Sequence, residues 1–159
     1  PEDDVEGGSE EFFNQEPELD IKQYQVVNPK IEGTAHAKPI AELPAISIIA
    51  QLKFYVDHEA PIHEEILMRR LLELHGVDRA GPMILQALND AVKLGFQKKK
   101  FIKTGKFFYS TKDLPVALRD RSTRPEYERK MAYVSPEERA LVPASMDERT
   151  IKQTLGKNE

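Results

Sequence analysis

Apolar residues recur at helical spacing in three stretches of the chain, and each stretch predicts one helix. The first follows Pro44, a residue that suits the start of a helix because the missing backbone donor has no partner there. Its apolar positions are Ile46, Ile49, Leu52 and Val56, with Ile48 and Tyr55 widening the face. Spacings of three and four residues place side chains on one face of a helix, so residues 44–56 are predicted to form a core helix.

The second stretch carries both a start signal and a stop signal. Glu64 and Glu65 bring negative charge to the first turn, where the helix dipole favours it. Gly76 stands where a left-handed residue commonly ends a helix. The apolar stripe between them consists of Leu67, Leu71 and Leu74, flanked by Met68 and Leu72. This pattern predicts a short core helix that ends at Gly76.

The third helix is predicted to begin at Pro82 and to have Leu88 at the centre of its apolar face. The residues on that face, within about 60° of Leu88 at roughly 100° per residue, are Ile84, Leu85, Ala91, Val92 and Gly95. The opposite side carries Met83, Gln86, Asp90 and Lys93. The stretch therefore predicts an amphipathic helix with one polar face.

Two aromatic-containing runs, residues 96–103 and 106–109, flank the pair Thr104-Gly105. Such runs around a two-residue turn predict a β-hairpin. Extended residues around 61–63 are expected to add a third strand. The predicted fold class is α+β: a winged helix-turn-helix of three helices plus a β-hairpin wing, with N- and C-terminal extensions.

Three segments follow from this assignment: an acidic arm or linker over residues 1–42, a winged-helix domain over residues 43–112, and a C-terminal extension over residues 113–159. Residues 24–27 of the arm are expected to form a short strand. Residues 135–138 read Ser-Pro-Glu-Glu, a capping box that predicts a helix ending near Pro143. A last short helix is expected within residues 146–155.

The charge is distributed unevenly along these segments. Residues 1–42 hold 11 acidic and 3 basic side chains, a net charge of −8. Residues 43–133 hold 11 acidic and 16 basic side chains, a net charge of +5, so the overall charge of −4 conceals a basic middle. The acids of the arm are either simply solvated or lie over the basic middle and compete with a polyanion.

Several classes of protein lack support in the sequence. No cysteine is present, which excludes disulfides and thiolate metal sites and fits a reducing compartment. No apolar run approaches the ~18 residues of a membrane span, and the first residues do not resemble a signal peptide. We therefore expect a cytoplasmic protein that does not contact a membrane. The start at Pro1 without a methionine is expected either from bacterial methionine removal or from a domain cut out of a longer protein.

The search for catalytic chemistry is negative. The four histidines show no metal-like pairing, and His63-Glu64-Glu65 is better explained as a helix start than as part of a metal site. Gly105-Lys106 lacks the remaining residues of a phosphate-binding loop, and no nucleophile has an evident base. We expect no catalytic residue, no metal, no cofactor and no small-molecule substrate in this chain, which is therefore not predicted to be an enzyme.

Residues 59–65 (EAPIHEE), 69–71 and 76–81 resemble a domain of unknown function found in large bacterial proteins. Residues 115–122 and 135–138 resemble the downstream segment of the same domain. Those proteins are superfamily-1 DNA helicase-like, and a Vsr-like or restriction-endonuclease-like segment precedes the domain. The resemblance implies an accessory domain of an ATP-dependent helicase-nuclease and transfers no catalytic residue. The family usually has glycine at the position of Ala60, and its final helix is not interrupted as Pro143 interrupts it here.

The candidate binding surface is the lysine-rich hairpin. The predicted nucleic-acid-binding residues are Arg79, Gln86, Lys93, Lys98, Lys99, Lys100, Lys103, Lys106, Arg119 and Arg121. In a hairpin, Lys98 and Lys100 are expected on one face and Lys99 and Lys103 on the other. Lysines on such a wing contact phosphates without reading the base sequence, so double-stranded or forked DNA is the expected partner. Alternatively, the lysines protect an exposed sheet edge, or the domain docks on other domains of the parent helicase-like protein.

Overall fold

The computed structural model describes residues 20–30 and 38–158, and these residues form an α+β protein. The helices are α1 (Ala45–Glu59), α2 (Glu64–Leu74), α3 (Pro82–Gln97), α4 (Pro136–Arg139) and α5 (Glu148–Thr154). The strands are β1 (Ile21–Gln23), β2 (Ile62–His63), β3 (Ile102–Thr104), β4 (Phe107–Tyr109) and β5 (Leu118–Asp120). Most of the predicted acidic arm, residues 1–19 and 31–37, lies outside the described residues.

The strands form two small sheets. One has the order β2-β4-β3 and is antiparallel, with Ile62 opposite Phe108 and Thr104 opposite Phe107. The expected third strand therefore pairs with the hairpin. The other sheet joins β1 to β5 in parallel, with Ile21 opposite Leu118. The strand predicted over residues 24–27 was wrong, because β1 pairs three residues earlier and Tyr24 is buried beyond its end.

The main core lies between α1, α2, α3 and the three-stranded sheet. Its largest fully buried apolar side chains are Ile40, Ile48, Leu52, Tyr55, Ile62, Leu67, Leu71, Leu88, Phe101 and Phe108. All three helices lie where the apolar spacing predicts them. Two positions of the predicted faces were wrong: Ile46 is 65% exposed and Leu85 is 49% exposed. The buried face of α1 is centred nearer Leu52 and Tyr55, which turns Ile46 outward.

Helices α2 and α3 end in the same way. The amide of Val77 donates to the carbonyl of Leu72 (2.9 Å), and Gly76 between them has a φ of 67°. This is the Schellman arrangement, in which a left-handed residue allows the last carbonyls to be satisfied. At the end of α3 the amide of Lys100 donates to the carbonyl of Gly95 (2.9 Å), and Lys99 takes the left-handed position with a φ of 56°.

The hairpin differs from its prediction in two respects. Helix α3 continues to Gln97, so residues 98–100 form its closing turn and not a strand. The predicted alternation of lysines across a strand is therefore wrong for that segment. The two-residue turn is Gly105-Lys106, one residue later than predicted, with Thr104 paired to Phe107. Gly105 has a φ of 60°, and glycine first in the turn is typical of type II′ hairpins.

The C-terminal residues pack on the domain around a second, smaller core of Leu118, Val134 and Leu155. The predicted capping box is confirmed in its first half, because the Ser135 hydroxyl accepts a hydrogen bond from the Glu138 amide (3.1 Å). Helix α4 ends at Arg139, four residues before Pro143. The last predicted helix is present as α5. None of the helices in the described residues combines the length and apolar character that a membrane span requires.

Candidate nucleic-acid interface

The lysines of the predicted surface surround the C-terminal end of α3 and the hairpin turn. We define the lysine surface as Lys98, Lys99, Lys100, Lys103 and Lys106, all of which are exposed. Among the described residues, Lys98, Lys99, Lys100 and Lys106 form no ion pair with a carboxylate. Their charge is therefore not neutralised within the part of the molecule that the structure describes.

Lys103 is the exception on this surface. Its Nζ lies 2.6 Å from Oε2 of Glu64, in the first turn of α2, and 5.7 Å from the centre of the Phe108 ring. Strand β3 is an edge of the sheet, so Lys103 fits the alternative explanation that lysine protects an exposed edge. That explanation does not apply to residues 98–100, which lie outside the strands.

The backbone of Lys99 has an unfavourable left-handed conformation. A left-handed φ costs an ordinary residue roughly 1–2 kcal/mol compared with its usual region, and glycine would close the helix without this cost, as Gly76 does for α2. Because the turn fixes Lys98, Lys99 and Lys100 immediately beyond the last carbonyls of α3, their ammonium groups also lie at the negative end of the helix dipole.

Three other predicted residues are exposed but lie apart from the hairpin. Arg79 precedes α3, whereas the lysine surface follows it, and a 16-residue helix is roughly 24 Å long. Gln86, in the second turn of α3, donates from Nε2 to Oδ1 of Asp90 (2.9 Å). Lys93 lies on the exposed side of α3, nearer its C-terminal end. The structure therefore places only Lys93 towards the lysine surface.

Arg119 and Arg121 lie inside the molecule. Both make ion pairs with Glu138, whose side chain is fully buried: Arg119 Nη2 lies 2.9 Å from Oε1, and Arg121 Nη1 lies 2.6 Å from Oε2. The Tyr24 ring packs under them, with its centre 4.6 Å from Cζ of Arg119 and 5.0 Å from Cζ of Arg121. Arg119 also donates to the backbone carbonyl of Pro61 (2.8 Å). Their charged groups are thus occupied by internal contacts.

These arginines belong to a larger network, which we call the arginine–glutamate cluster. Its members are Arg70, Arg119, Arg121, Arg124, Glu59, Glu128, Glu138 and Tyr24. At its centre Arg70 is 1% exposed. It donates from Nε to Glu59 (2.9 Å) and from Nη2 to Glu128 (2.7 Å). The cluster joins α1 and α2 to the C-terminal residues, and Tyr24 adds the residues after β1 through a hydrogen bond to Glu59 (2.6 Å).

Two carboxylates of the cluster, those of Glu128 and Glu138, have lowered pKa values despite burial. Burial alone would raise the pKa of Glu138, but the hydrogen bond from Arg121 and the charge of Arg119 lower it below its ordinary value. The pKa of Glu128 is lowered for the same reason by Arg70 and Arg124. Burial raises the pKa of Tyr24, and the neighbouring Glu59 carboxylate raises it further. The cluster thus favours the charged forms of Glu128 and Glu138 and the neutral phenol of Tyr24.

Sequence reasoning missed this cluster, although one signal was present. Arg70 falls between Leu67 and Leu71 on the buried side of α2, and a charged residue on an apolar stripe requires a buried partner. The partners, Glu59 and Glu128, come from segments 11 and 58 residues away. Their positions depend on how the C-terminal residues pack, which no local pattern contains.

His63 has a structural role that matches the predicted helix start. Its Nδ1 accepts a hydrogen bond from the Glu65 amide (3.1 Å) and so caps α2. The ring is buried between Phe107 and Tyr133, and burial lowers the pKa of His63. Within residues 20–30 and 38–158, no group of three His, Asp or Glu side chains is arranged to hold a metal ion.

The domain is thus an α+β unit with a lysine-bearing hairpin and a buried arginine–glutamate cluster. Residues 48–86 match the model of a family described as a protein of unknown function (DUF3320). The match covers α1 from Ile48 onward, β2, α2 and the first five residues of α3. It includes Glu59 and Arg70 of the cluster and agrees with the resemblance to a domain of unknown function. No curated protein and no solved structure matches the chain.

Proposed function

We propose that residues 43–112 form a winged helix-turn-helix domain that binds double-stranded or forked DNA through the lysine surface. The order of three helices followed by a hairpin, with β2 completing the sheet, supports this fold. The domain would act as a non-catalytic accessory unit of a bacterial, cytoplasmic DNA helicase-nuclease. The resemblance of residues 59–65 and 69–81 supports that context.

The observation that carries the proposal is the set of exposed, unneutralised lysines at residues 98–100, of which Lys99 occupies a strained position. Strained residues are often found where the side chain has a role outside folding. Phosphates are the partners that such charges would meet, because each lysine contact releases condensed counterions. Asp90 on the exposed side of α3 disfavours phosphate contact there, so binding through the hairpin end is favoured over reading of bases by α3.

Beside these lysines lies an apolar patch that favours forked DNA. Phe96 is 36% exposed and Ile102 is 51% exposed, and both line a shallow groove with Lys99 and Lys103. The Phe96 ring stacks on Phe108 with a centroid separation of 5.9 Å and an angle of 16° between the planes. An unpaired base can stack on an exposed aromatic face, a contact worth about 1–3 kcal/mol. We therefore expect tighter binding to a fork than to a closed duplex.

The test is fluorescence anisotropy with duplex, single-stranded and forked DNA over a series of salt concentrations. The variant is Lys98→Ala/Lys99→Gly/Lys100→Ala, in which glycine removes the charge of Lys99 without adding strain. If these lysines contact phosphates, duplex affinity should fall equally for all sequences. The slope of log K against log salt should shrink by about two to three units, at roughly 0.9 per contact.

A matched control removes three positive charges from elsewhere on the surface. The residues are Lys22 on β1 and Arg149 and Lys152 on α5, all of which are exposed. Strand β1 and helix α5 pack on the smaller core and do not belong to the sheet that contains the hairpin. Their alanine variant should retain the salt slope. Wild-type protein that binds no DNA, or equal slopes in all three proteins, would overturn the proposal and favour docking on other domains of the parent protein. The variant Phe96→Leu should weaken binding to forks and leave duplex binding unchanged.

A further inference from the structure

A second exposed groove lies on the other side of α3, between α2 and α3. Its apolar lining comprises Met68, Leu72, Val77, Leu85 and Leu88. Leu85 lines the groove and is half exposed, although the apolar spacing of α3 predicts it on the buried face. The groove has a volume of about 600 Å³. The other apolar lining residues are half-buried, except Leu88, which is buried. A partly apolar groove between two helices is typical of sites that take a third helix.

The rim of this groove is acidic. Its carboxylates are Glu64, Glu65, Glu73 and Asp78, and its one guanidinium is that of Arg69. Glu64 is paired with Lys103, so the other three carboxylates and Arg69 give the lining a formal charge of −2. Phosphates would be repelled from such a rim, so this groove and the lysine surface suit partners of opposite charge.

Two of the carboxylates are held in position by phenols from the C-terminal residues. The Tyr127 hydroxyl donates to Oε1 of Glu73 (2.7 Å), and the Tyr133 hydroxyl donates to Oε2 of Glu65 (2.6 Å). The hydrogen bond from Tyr133 lowers the pKa of Glu65. Arg69 packs over the Tyr127 ring at 4.1 Å. The negative rim is thus formed before any partner arrives, which reduces the entropy lost on binding.

We propose that this groove binds an amphipathic α-helix whose apolar stripe is flanked by lysine or arginine side chains. In such binding, apolar residues at positions i, i+4 and i+7 of the partner enter the groove, and the flanking cations meet the acidic rim. The charge complementarity excludes an acidic helix, for which the same apolar stripe would bring repulsion at the rim. The groove and the lysine surface meet at the Lys103–Glu64 ion pair, but residues 98–100 do not line the groove. The inference therefore does not depend on DNA binding by those lysines.

The experiment measures binding of a labelled synthetic helix that carries leucine at i, i+4 and i+7 and lysine on both flanks. The comparison peptide has the same leucines with glutamate in place of every lysine. The cationic peptide should bind and saturate, and NMR shift changes should be centred on α2 and the first half of α3. Leu85→Gln and Glu73→Gln/Asp78→Asn should each weaken its affinity by about tenfold, equivalent to roughly 1.4 kcal/mol.

The control variant is Met83→Gln, which alters a side chain that is 75% exposed on α3 but does not line this groove. It should bind the cationic peptide like the wild type. The triple lysine variant of residues 98–100 should also bind it normally, which separates this result from the DNA test. Equal binding of the two peptides, no saturable binding of the cationic peptide, or equal loss in the Met83 variant would overturn the proposal.

Discussion

The arginine–glutamate cluster and the lysine surface show two opposite uses of positive charge in one small protein. In the cluster, guanidinium groups such as those of Arg70 and Arg121 are buried and make paired hydrogen bonds with carboxylates. On the lysine surface, Lys98 and Lys100 extend into solvent beyond the end of α3. Guanidinium suits the first use because its planar donors match carboxylate oxygens, whereas a hydrated ammonium suits the second.

The net positive charge of residues 43–133 therefore overstates the charge that the surface offers to a polyanion. The net charge of +5 over residues 43–133 includes four arginines whose partners lie inside the molecule. The charge available to a polyanion is therefore local, and it is concentrated at the end of α3. Removing an arginine of the cluster should destabilise the fold, whereas removing a lysine of the lysine surface should weaken binding. The following variants test that division.

The largest effect is expected for Arg70→Ala, which leaves Glu59 and Glu128 buried without their shared partner. Removing one member of a buried ion pair costs about 3–5 kcal/mol. The unfolding free energy from urea denaturation should fall by that amount. The control is Arg69→Ala, which removes an exposed guanidinium stacked on Tyr127 and should cost less than about 1 kcal/mol. Similar losses in both variants would contradict the division.

Acid should weaken the cluster in a predictable direction. The pKa values of Glu128 and Glu138 are lower in the folded protein than the ordinary 4.5, so their contribution to stability is full above that pH. This contribution to stability should be lost as the pH falls below 4.5 and passes the lower pKa values that the two carboxylates have in the folded protein. Glu138→Gln should reduce stability at neutral pH and flatten this acid dependence. The control is Glu137→Gln, which changes the exposed neighbour that accepts a hydrogen bond from Tyr109 and lies outside the cluster, and it should cost less stability at neutral pH than Glu138→Gln.

A smaller loss is expected where the hairpin meets α3. A methyl group on Gly95 would lie 2.3 Å from Cζ of Phe101, so Gly95→Ala must displace that ring. Overpacking of this kind costs about 1–3 kcal/mol, which the higher helix propensity of alanine offsets by up to about 1 kcal/mol. Gly81→Ala is the control, because its added methyl group meets no atom within 4 Å. Thermal denaturation of the two variants should separate them.

Removing charge from the lysine surface should hardly affect folding. Lys98→Ala/Lys100→Ala removes two cations from the C-terminal end of α3, where each stabilises the helix dipole by about 0.3–1 kcal/mol. The unfolding free energy should therefore fall by no more than about 2 kcal/mol, and less at high salt. A loss as large as that of Arg70→Ala would mean that these lysines belong to the fold.

The smallest expected effect is a slight increase in the free energy of unfolding. Lys99→Gly relieves the left-handed backbone but increases the freedom of the unfolded chain, so the net stabilisation should be about 0–1 kcal/mol. The matched variant Gly76→Lys introduces the same strain at the end of α2 and should be destabilising. If Lys99→Gly destabilises the protein, the position of Lys99 is favourable for folding, and its strain no longer supports a role in binding.

Much of the domain could be predicted because its signals are local. Apolar spacing located α1, α2 and α3, and proline and glycine marked the start of α3 and the end of α2. The end of α3 was missed because Lys99 occupies a position where glycine is usual, so residues 98–100 resembled the start of a strand. Because of this one backbone conformation, Lys98, Lys99 and Lys100 lie at the end of a helix and not on the predicted strand.

The remaining errors have a different cause. Arg119 and Arg121 looked like surface cations because they lie in a segment with the pattern of an extended, exposed chain, and their partner Glu138 lies 19 and 17 residues away. The capping box around Ser135 was recognised, but the use of Glu138 as an ion-pair partner depends on tertiary packing. Residues 59–65 and 135–138, which carry the resemblance, contribute two of the three carboxylates of the cluster.

The parallel pairing of β1 with β5 has a consequence for the order of folding. Residues 21 and 118 are partners, so this contact joins parts of the chain separated by 97 residues. Contacts of high sequence separation form slowly, because loop-closure entropy is lost before they stabilise anything. The three helices need only nearby contacts, whereas β1 requires the C-terminal residues to be docked already. We expect β1 and Tyr24 to be the last part of the described chain to fold and the first to exchange its amide hydrogens.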